Sequence, residues 1–489
     1  MSLERRLWGQ PASIWLLLGA TALLLFTQLG AAELWTLEGR WAGVCMHMLR
    51  SGDYLHPYLF GDAYYDKPLL SYWLALASAR LLGGFNETAL RLPSAFSGLL
   101  AVWCLYRLAA SRFDRATGLT AGFLLATCAM FVFWSRVASA DMLNVAGTLA
   151  AVTWYFERRD RPGFVTFTVF FVLVALTALM KGLIGPAVVL LALLPDAARH
   201  GRWRTLLRPS LFAAATIGLG VYLVPFAASS LTQPPSYAES GLAMVLRENA
   251  ARYFEPFDHQ APVYVYLEFL PIYLLPWALL LPFAVYGAVR RWPRLSDASR
   301  WAIWTSLLVL VFLTASGSRR SYYVLPVVPF AVLVIAEWLQ AGGVRDTVRA
   351  CVGWGTVTAI VGMVLWFGVV VPAGFRHGGE RPLVREVRQH AEREAPWESW
   401  RILICGAPPA AGYYFRTGAE PTVIPVDDVG SVPRRVEDDP HTVVVTKRRF
   451  AQSVRSLMPS AAMFEEPSRI PSFLRSRHGS ERDVIAFVP

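Results

Sequence analysis

The sequence predicts an α-helical polytopic membrane protein with about 11 to 13 spans and a small C-terminal α/β domain. Three observations predict it. Of 489 residues, 55% are hydrophobic and only 17% are charged, a balance that excludes an ordinary soluble enzyme. Apolar runs near the ~20 residues that a helix needs to cross a bilayer recur as far as position 371. Beyond Pro372 the runs shorten to strand length, with charged stretches and Pro/Gly-rich turns between them.

The first run, 13–32, could pass for a secretory leader, but it is long and no small-residue cleavage site closes it, so it reads as a retained span. Further runs cover 92–110, 117–135, 142–156, 164–180, 183–195, 210–229, 263–289, 301–316, 322–339 and 350–371. The loops near 107–115, 157–161, 196–208 and 290–300 hold fourteen Arg against five acids. Basic loops stay in the cytoplasm, which places these four there together with Arg5 and Arg6. The loops 33–91, 135–141, 181–182, 230–262 and 317–321, and everything after 372, then face outward, toward the periplasm if the membrane is a bacterial inner membrane.

The first outward loop is too long for a connector. Residues 40–50 are amphipathic, and 68–82 are apolar but followed by Gly83-Gly84. A crossing at 68–82 would invert the charge asymmetry downstream, so both segments are expected as interfacial helices on the outer membrane surface. Residues 373–489 form the soluble domain that follows the membrane domain 1–372. "RILICG", "TVIPV", "TVVVTK" and "DVIAFVP" read as strands and "VREVRQHAERE" as a helix. With no Gly-rich phosphate loop and no evident triad, a lid or an acceptor-docking module fits it as well as a second active site does.

Five Cys (45, 104, 128, 351 and 405) show neither CxxC nor paired spacing, so no disulfide framework and no thiol metal site is expected. The net charge of +11 raises the question of nucleic acid, but the Arg sit in short cytoplasmic loops and in the tail. Membrane orientation accounts for most of it, and no nucleic-acid motif is present.

Ionisable residues gather in the outward loops. Glu38, Arg40, Asp53, Asp66 and Lys67 lie in the first of them, and Asp141 stands at the outer end of a span, where an acid is costly unless it meets water or a partner. "RENAARYFEPFDHQAPVYVY" brings Glu248, His259 and Gln260, and "SGSRRSYYVLPVVP" brings Arg319 and Arg320. Guanidinium forks and a Lys point charge among acids suit a phosphate head with a bound cation. Plainer roles also fit each one. Asp66-Lys67 before Pro68 and Asp141 suit helix caps, Arg319-Arg320 suit membrane-edge anchors, and His259 suits a surface loop.

The order of "LEGRWAGVCMHMLRSGDYLHPYLFGDAYYDKPLLSYW", an acid after the third span, "KGLIGPAVVLLALLP", "ENAARYFEPFDHQAPVYVYLEFLPIYLLPW" and "SRRSYYVLPVVP" resembles the bacterial GT-C glycosyltransferases of the aminoarabinose-transferase and protein-mannosyltransferase superfamily. The likeness covers about residues 10–340. It implies a polyprenyl-phosphate (undecaprenyl-phosphate) sugar donor used on the outer side of the inner membrane, with lipid A, a glycan or a protein as acceptor. Glu38, Arg40, Trp41 and Ala42 match the family's second first-loop acid and its followers, whereas Leu37 stands where an Asp is usual. That departure removes the expected first-loop carboxylate and leaves Glu38 as its nearest replacement. Asp66-Lys67-Pro68 matches a Glu-Lys-Pro motif, Asp141 the second-loop acid, Lys181 the Lys of a Lys-Gly motif, and Arg319 a position where many relatives have Lys. By the same resemblance Asp66 and His259 would hold a divalent cation.

The implied reaction is inverting. Lys67, Lys181, Arg40, Arg319 and Arg320 would neutralise the phosphate, and Glu38 or Asp141 would act as base. Two other classes remain open. A lipid or sugar transporter would carry its charges near the bilayer midplane on repeated, broken helices. A decayed assembly factor would account for Leu37.

Overall fold

The computed structural model describes residues 12–35, 37–161, 163–201, 208–234, 237, 241, 243, 261–467 and 483–489. Its first helix, α1 (Ala12–Phe26), is followed by α2 (Glu38–Ser51), a hairpin of β1 (Tyr58–Leu59) and β2 (Asp62–Ala63), α3 (Leu70–Leu81) and α4 (Glu87–Arg112). Helices α2 and α3 coincide with the amphipathic 40–50 and apolar 68–82 segments of the first outward loop. Next come α5 (Arg115–Ala126), α6 (Ala129–Ser135), α7 (Ala140–Arg158), α8 (Phe164–Lys181), α9 (Ile184–His200) and α10 (Pro209–Leu231). The described chain resumes with α11 (Val265–Tyr273), α12 (Leu280–Arg290), α13 (Asp297–Ala315), a 3-10 turn over Ser321–Val327, α14 (Val328–Gln340), α15 (Asp346–Leu365) and α16 (Val371–His377).

Among the described residues, six helices are long and apolar enough to cross a membrane. The number rises to eight if α5 with α6, bent by 69°, and α11 with Trp277–Arg290, bent by 118°, each count as one span. Length and composition explain the distance from the expected number: α1 has 15 residues and α9 has 17, while α7 is diluted by Asp141, Asn144, Thr148 and Thr153.

The chain divides into two compact units. The first comprises Met1–Thr27, Asp66–Leu74 and Arg91–Leu365. Its helices approach closely through small residues, as membrane helices do when lipid supplies no hydrophobic drive for association. A Cβ on Gly218 of α10 would lie 2.9 Å from the Phe171 carbonyl of α8, and Gly147 of α7 and Gly185 of α9 both abut Thr177. At the end assigned to the cytoplasm, the buried Asp196 carboxylate bonds Arg159, and Arg112 stacks 4.6 Å from Phe156 and 5.5 Å from Trp301. Outward-facing Phe212, Leu219 and Val224 leave α10 apolar on its exposed side, as a lipid-facing helix requires.

The second unit comprises Gln28–Tyr65, Ala75–Leu90 and Trp366–Pro489. Most of the first outward loop therefore belongs with the C-terminal region. That region adds α17 (Glu380–Ala391), β3 (Arg401–Cys405), α18 (Pro409–Tyr414), β4 (Thr422–Ile424), α19 (Val432–Asp438), β5 (Thr442–Lys447), α20 (Arg448–Leu457), β6 (Ala462–Glu465) and β7 (Val484–Val488). The strands make a sheet in the order β4-β3-β5-β7-β6, parallel across β4, β3 and β5 and antiparallel at β7 and β6.

Successive strand side chains point to opposite faces, which splits the core in two. Ile402, Ile404, Val443 and Val445 pack with Leu383, Val387 and Ala391 of α17. On the other face Leu403 and Val444 meet Val432, Ala451, Val454 and Met458. The four strands expected from the sequence are β3, β4, β5 and β7; β6 is additional.

Candidate active site

In the first unit the ionisable residues converge where helices end. Ser139 caps α7 by accepting the Asp141 N–H at 3.3 Å, which sets Asp141 in the first turn of that helix. Lys181 is the last residue of α8, and Gly182, with φ of +95°, turns the chain out of it. The Lys181 ammonium bonds the Asp141 carboxylate, and both side chains are largely buried. A buried ion pair costs desolvation, so it persists where both charges have further work or further partners.

Further partners are present. The ammonium lies 4.8 Å above the Tyr323 ring and 5.7 Å from that of Tyr322. Arg320 donates to the Tyr322 hydroxyl at 2.7 Å, and Trp134 stacks on Tyr322 at 4.7 Å while donating to the Tyr273 hydroxyl at 2.9 Å. Lys67 and Arg320 are close enough to Lys181 to act on it electrostatically as like charges. Lys67 itself bonds the Asp66 carboxylate at 2.9 Å and the Asp66 carbonyl at 3.0 Å. Three cations thus share one neighbourhood with two acids, Asp66 and Asp141, each already bonded to a Lys. An anion would complete the balance.

Arg319 is oriented differently. Its guanidinium donates to the Thr314 carbonyl at 3.0 Å and to that of Ala261, tying the end of α13 to the segment before α11.

In the second unit Glu38 opens α2 and is buried. Its carboxylate accepts the Trp35 N–H at 2.7 Å while the Trp35 carbonyl accepts the Glu38 N–H, a reciprocal pairing of the capping-box kind. Arg40 donates to the Tyr64 hydroxyl at 3.2 Å. Asp53 accepts the Leu55 and His56 N–H groups and bonds the His56 ring at 2.8 Å, which makes it a turn builder.

Glu248, His259 and Gln260 lie outside the described residues. Asp66 is the remaining candidate metal ligand and is engaged by Lys67. Among the described residues no three His, Cys, Asp or Glu side chains come together as a ligand set.

Sequence reasoning passed over two features. Tyr322 and Tyr323, which follow Arg319-Arg320, form the platform under Lys181. Arg136, in an outward loop, is buried and donates to the Leu24, Leu25 and Thr27 carbonyls at 2.9, 3.0 and 2.7 Å. A cation on the side that topology disfavours was the available signal for it.

Residues 66–227 match the family model described as dolichyl-phosphate-mannose-protein mannosyltransferase. A protein of Pectobacterium carotovorum named undecaprenyl phosphate-alpha-4-amino-4-deoxy-L-arabinose arabinosyl transferase is 28% identical over 79% of this chain and 72% of its own length. A protein of the same name from Yersinia enterocolitica is 25% identical over 72% of this chain, and the match spans 63% of that relative. The crystal structure of ArnT from Cupriavidus metallidurans bound to undecaprenyl phosphate superposes with a TM-score of 0.74, covering 97% of each chain at 16% identity. The oligosaccharyltransferase of Archaeoglobus fulgidus follows at 0.52, 11% identity and 92% of this chain against 71% of its own. These likenesses establish the fold. The chain is a multi-pass membrane protein of the GT-C fold, similar in sequence to aminoarabinose transferases and, over residues 66–227, to protein mannosyltransferases.

Proposed function

We propose that the chain is an inverting glycosyltransferase that moves a sugar from an undecaprenyl-phosphate-type donor to a lipid A, glycan or protein acceptor on the periplasmic side of the inner membrane. The observation that carries this reading is the pair Lys181 and Arg320 over the Tyr322–Tyr323 platform, with the like charge of Lys67 near Lys181. The relatives' shared name and the undecaprenyl phosphate in the ArnT structure supply the donor class. In this reading the membrane domain has 11 to 13 spans, as the sequence suggested, α2 and α3 lie along the outer membrane surface, and the C-terminal sheet domain is periplasmic.

The chemistry follows from the leaving group. As the bond between the anomeric carbon and the phosphate oxygen breaks, the phosphodiester becomes a monoester and gains a negative charge. Lys67, Lys181 and Arg320 are the side chains assigned to that charge. Asp141 holds the Lys181 ammonium in place. The acceptor oxygen attacks the opposite face of the anomeric carbon, and Glu38 takes its proton. A phosphate acceptor needs no such base, and then the departure at Leu37 costs little.

Native mass spectrometry of the gently solubilised protein tests the donor. Wild type should carry polyprenyl phosphate or its sugar adduct, and Lys67→Ala should lose both the adduct and transfer. A Lys67→Ala protein that turns over normally would remove the phosphate site from this group. Glu38→Gln should lower turnover by roughly 100-fold or more, the scale of general-base catalysis, when the acceptor is a hydroxyl.

A further inference from the structure

The segment leading into Glu38 is gripped almost residue by residue. Arg381, at the start of α17, donates to the Ala31 carbonyl at 3.2 Å and the Gly30 carbonyl at 3.0 Å. It also makes two bonds to one carboxylate oxygen of Glu87, at 2.6 and 3.1 Å. In return, the buried Glu33 carboxylate accepts the Glu380 and Arg381 N–H groups at 2.9 and 2.7 Å. It thus caps α17 from a distant part of the chain and places negative charge at that helix's positive end. Tyr414 of α18 accepts the Leu34 N–H at 2.7 Å and donates to Glu87 at 3.2 Å.

Past Glu38 the grip is steric. A Cβ on Gly39 would lie 2.3 Å from the Ala410 nitrogen and 2.8 Å from the Pro409 carbonyl carbon, so α2 and α18 meet backbone to backbone. Gly379 has φ of +113°, and a Cβ there would lie 2.3 Å from the Glu33 carboxylate. Two carboxylates, one guanidinium and one phenol are therefore held in closed pairings, with a glycine at each close approach. A lid that merely rested on the loop would need none of this.

We infer that the C-terminal domain is a positioning element for Glu38: the Glu33–Arg381–Glu87–Tyr414 network and the Gly39 contact fix the carboxylate that receives the acceptor's proton. The inference rests on the role proposed above for Glu38. Arg381, Tyr414 and Glu33 are positioning residues and do not touch substrate.

A double-mutant cycle tests it. Arg381→Gln should lower kcat by roughly 10- to 100-fold, the scale of a misplaced catalytic group, while the donor stays bound in native mass spectra. Arg381→Lys should recover part of the loss. In a Glu38→Gln background, Arg381→Gln should lower kcat no further, because both changes disable the same group. Tyr414→Phe, which removes one hydroxyl, repeats the cycle should Arg381→Gln fold poorly. Losses that multiply in the double variant, or an Arg381→Gln protein with wild-type kcat, would overturn the inference and leave the transferase reading standing. Full turnover by Glu38→Gln would overturn this inference and the assigned base together, and Lys67→Ala then reports separately on the donor site.

Discussion

Arg136 and Arg319 show how a single cation can serve a helix end. Both lie in outward loops, and both direct the guanidinium at backbone carbonyls, Arg136 at the end of α1 and Arg319 at the end of α13. The last carbonyls of a helix have no acceptor-to-donor pairing within it, so an Arg fork supplies in one side chain what several waters would otherwise provide. Asp53 makes the complementary case for an acid. Partial burial pushes its carboxyl up, but the Leu55 N–H, the His56 ring and the His56 N–H outweigh it and hold the carboxyl below its ordinary 3.8. A depressed carboxyl contributes stability above its unfolded value and loses it as pH falls through the folded one. Thermal midpoints of wild type should therefore fall as pH drops below about 4, and Asp53→Asn should remove part of that slope. Equal slopes in the two proteins would place the acid sensitivity elsewhere.

Elements were legible where a local pattern dictates them. The runs 40–50 and 68–82 have helical periodicity, and they became α2 and α3. β5 and β7 are rich in β-branched residues and are buried along most of their length. β6 escaped notice because "AMFE" has little strand preference; it is a strand because Ala462–Glu465 finds β7 to pair with. The same dependence on a neighbour governs α2. At Gly39 an added methyl meets backbone atoms of Pro409 and Ala410, which cannot turn aside, whereas at Gly43 it meets the Leu59 side-chain end at 2.5 Å, which can. Gly39→Ala should therefore destabilise the fold by on the order of 1–3 kcal/mol and Gly43→Ala by clearly less, read as thermal midpoints in detergent. The reverse order would mean that α2 and α18 separate without penalty.

At the scale of the whole molecule, charge and hydropathy make one directional prediction. Fourteen Arg in four loops should hold those loops in the cytoplasm, which leaves the sheet domain outside. Alkaline phosphatase fused after Pro489 should then be active, and a fluorescent protein fused there should stay dark. The opposite pattern would place the domain, and Arg381 with it, in the cytoplasm.

The membrane class, the apolar helices and four strands of the sheet were determined by the sequence itself, because hydropathy and strand preference act within a few residues and need no partner. The resemblance in motif order was legible for a related reason: each motif is a run of a few neighbouring residues, read in chain order. Only the tertiary structure decided which charges meet. Asp141 closes on Lys181 across 40 residues, and Arg381 reaches Glu87 across 294. A buried charge is stable only beside a partner that offsets its desolvation, and that partner is chosen by how helices and strands pack.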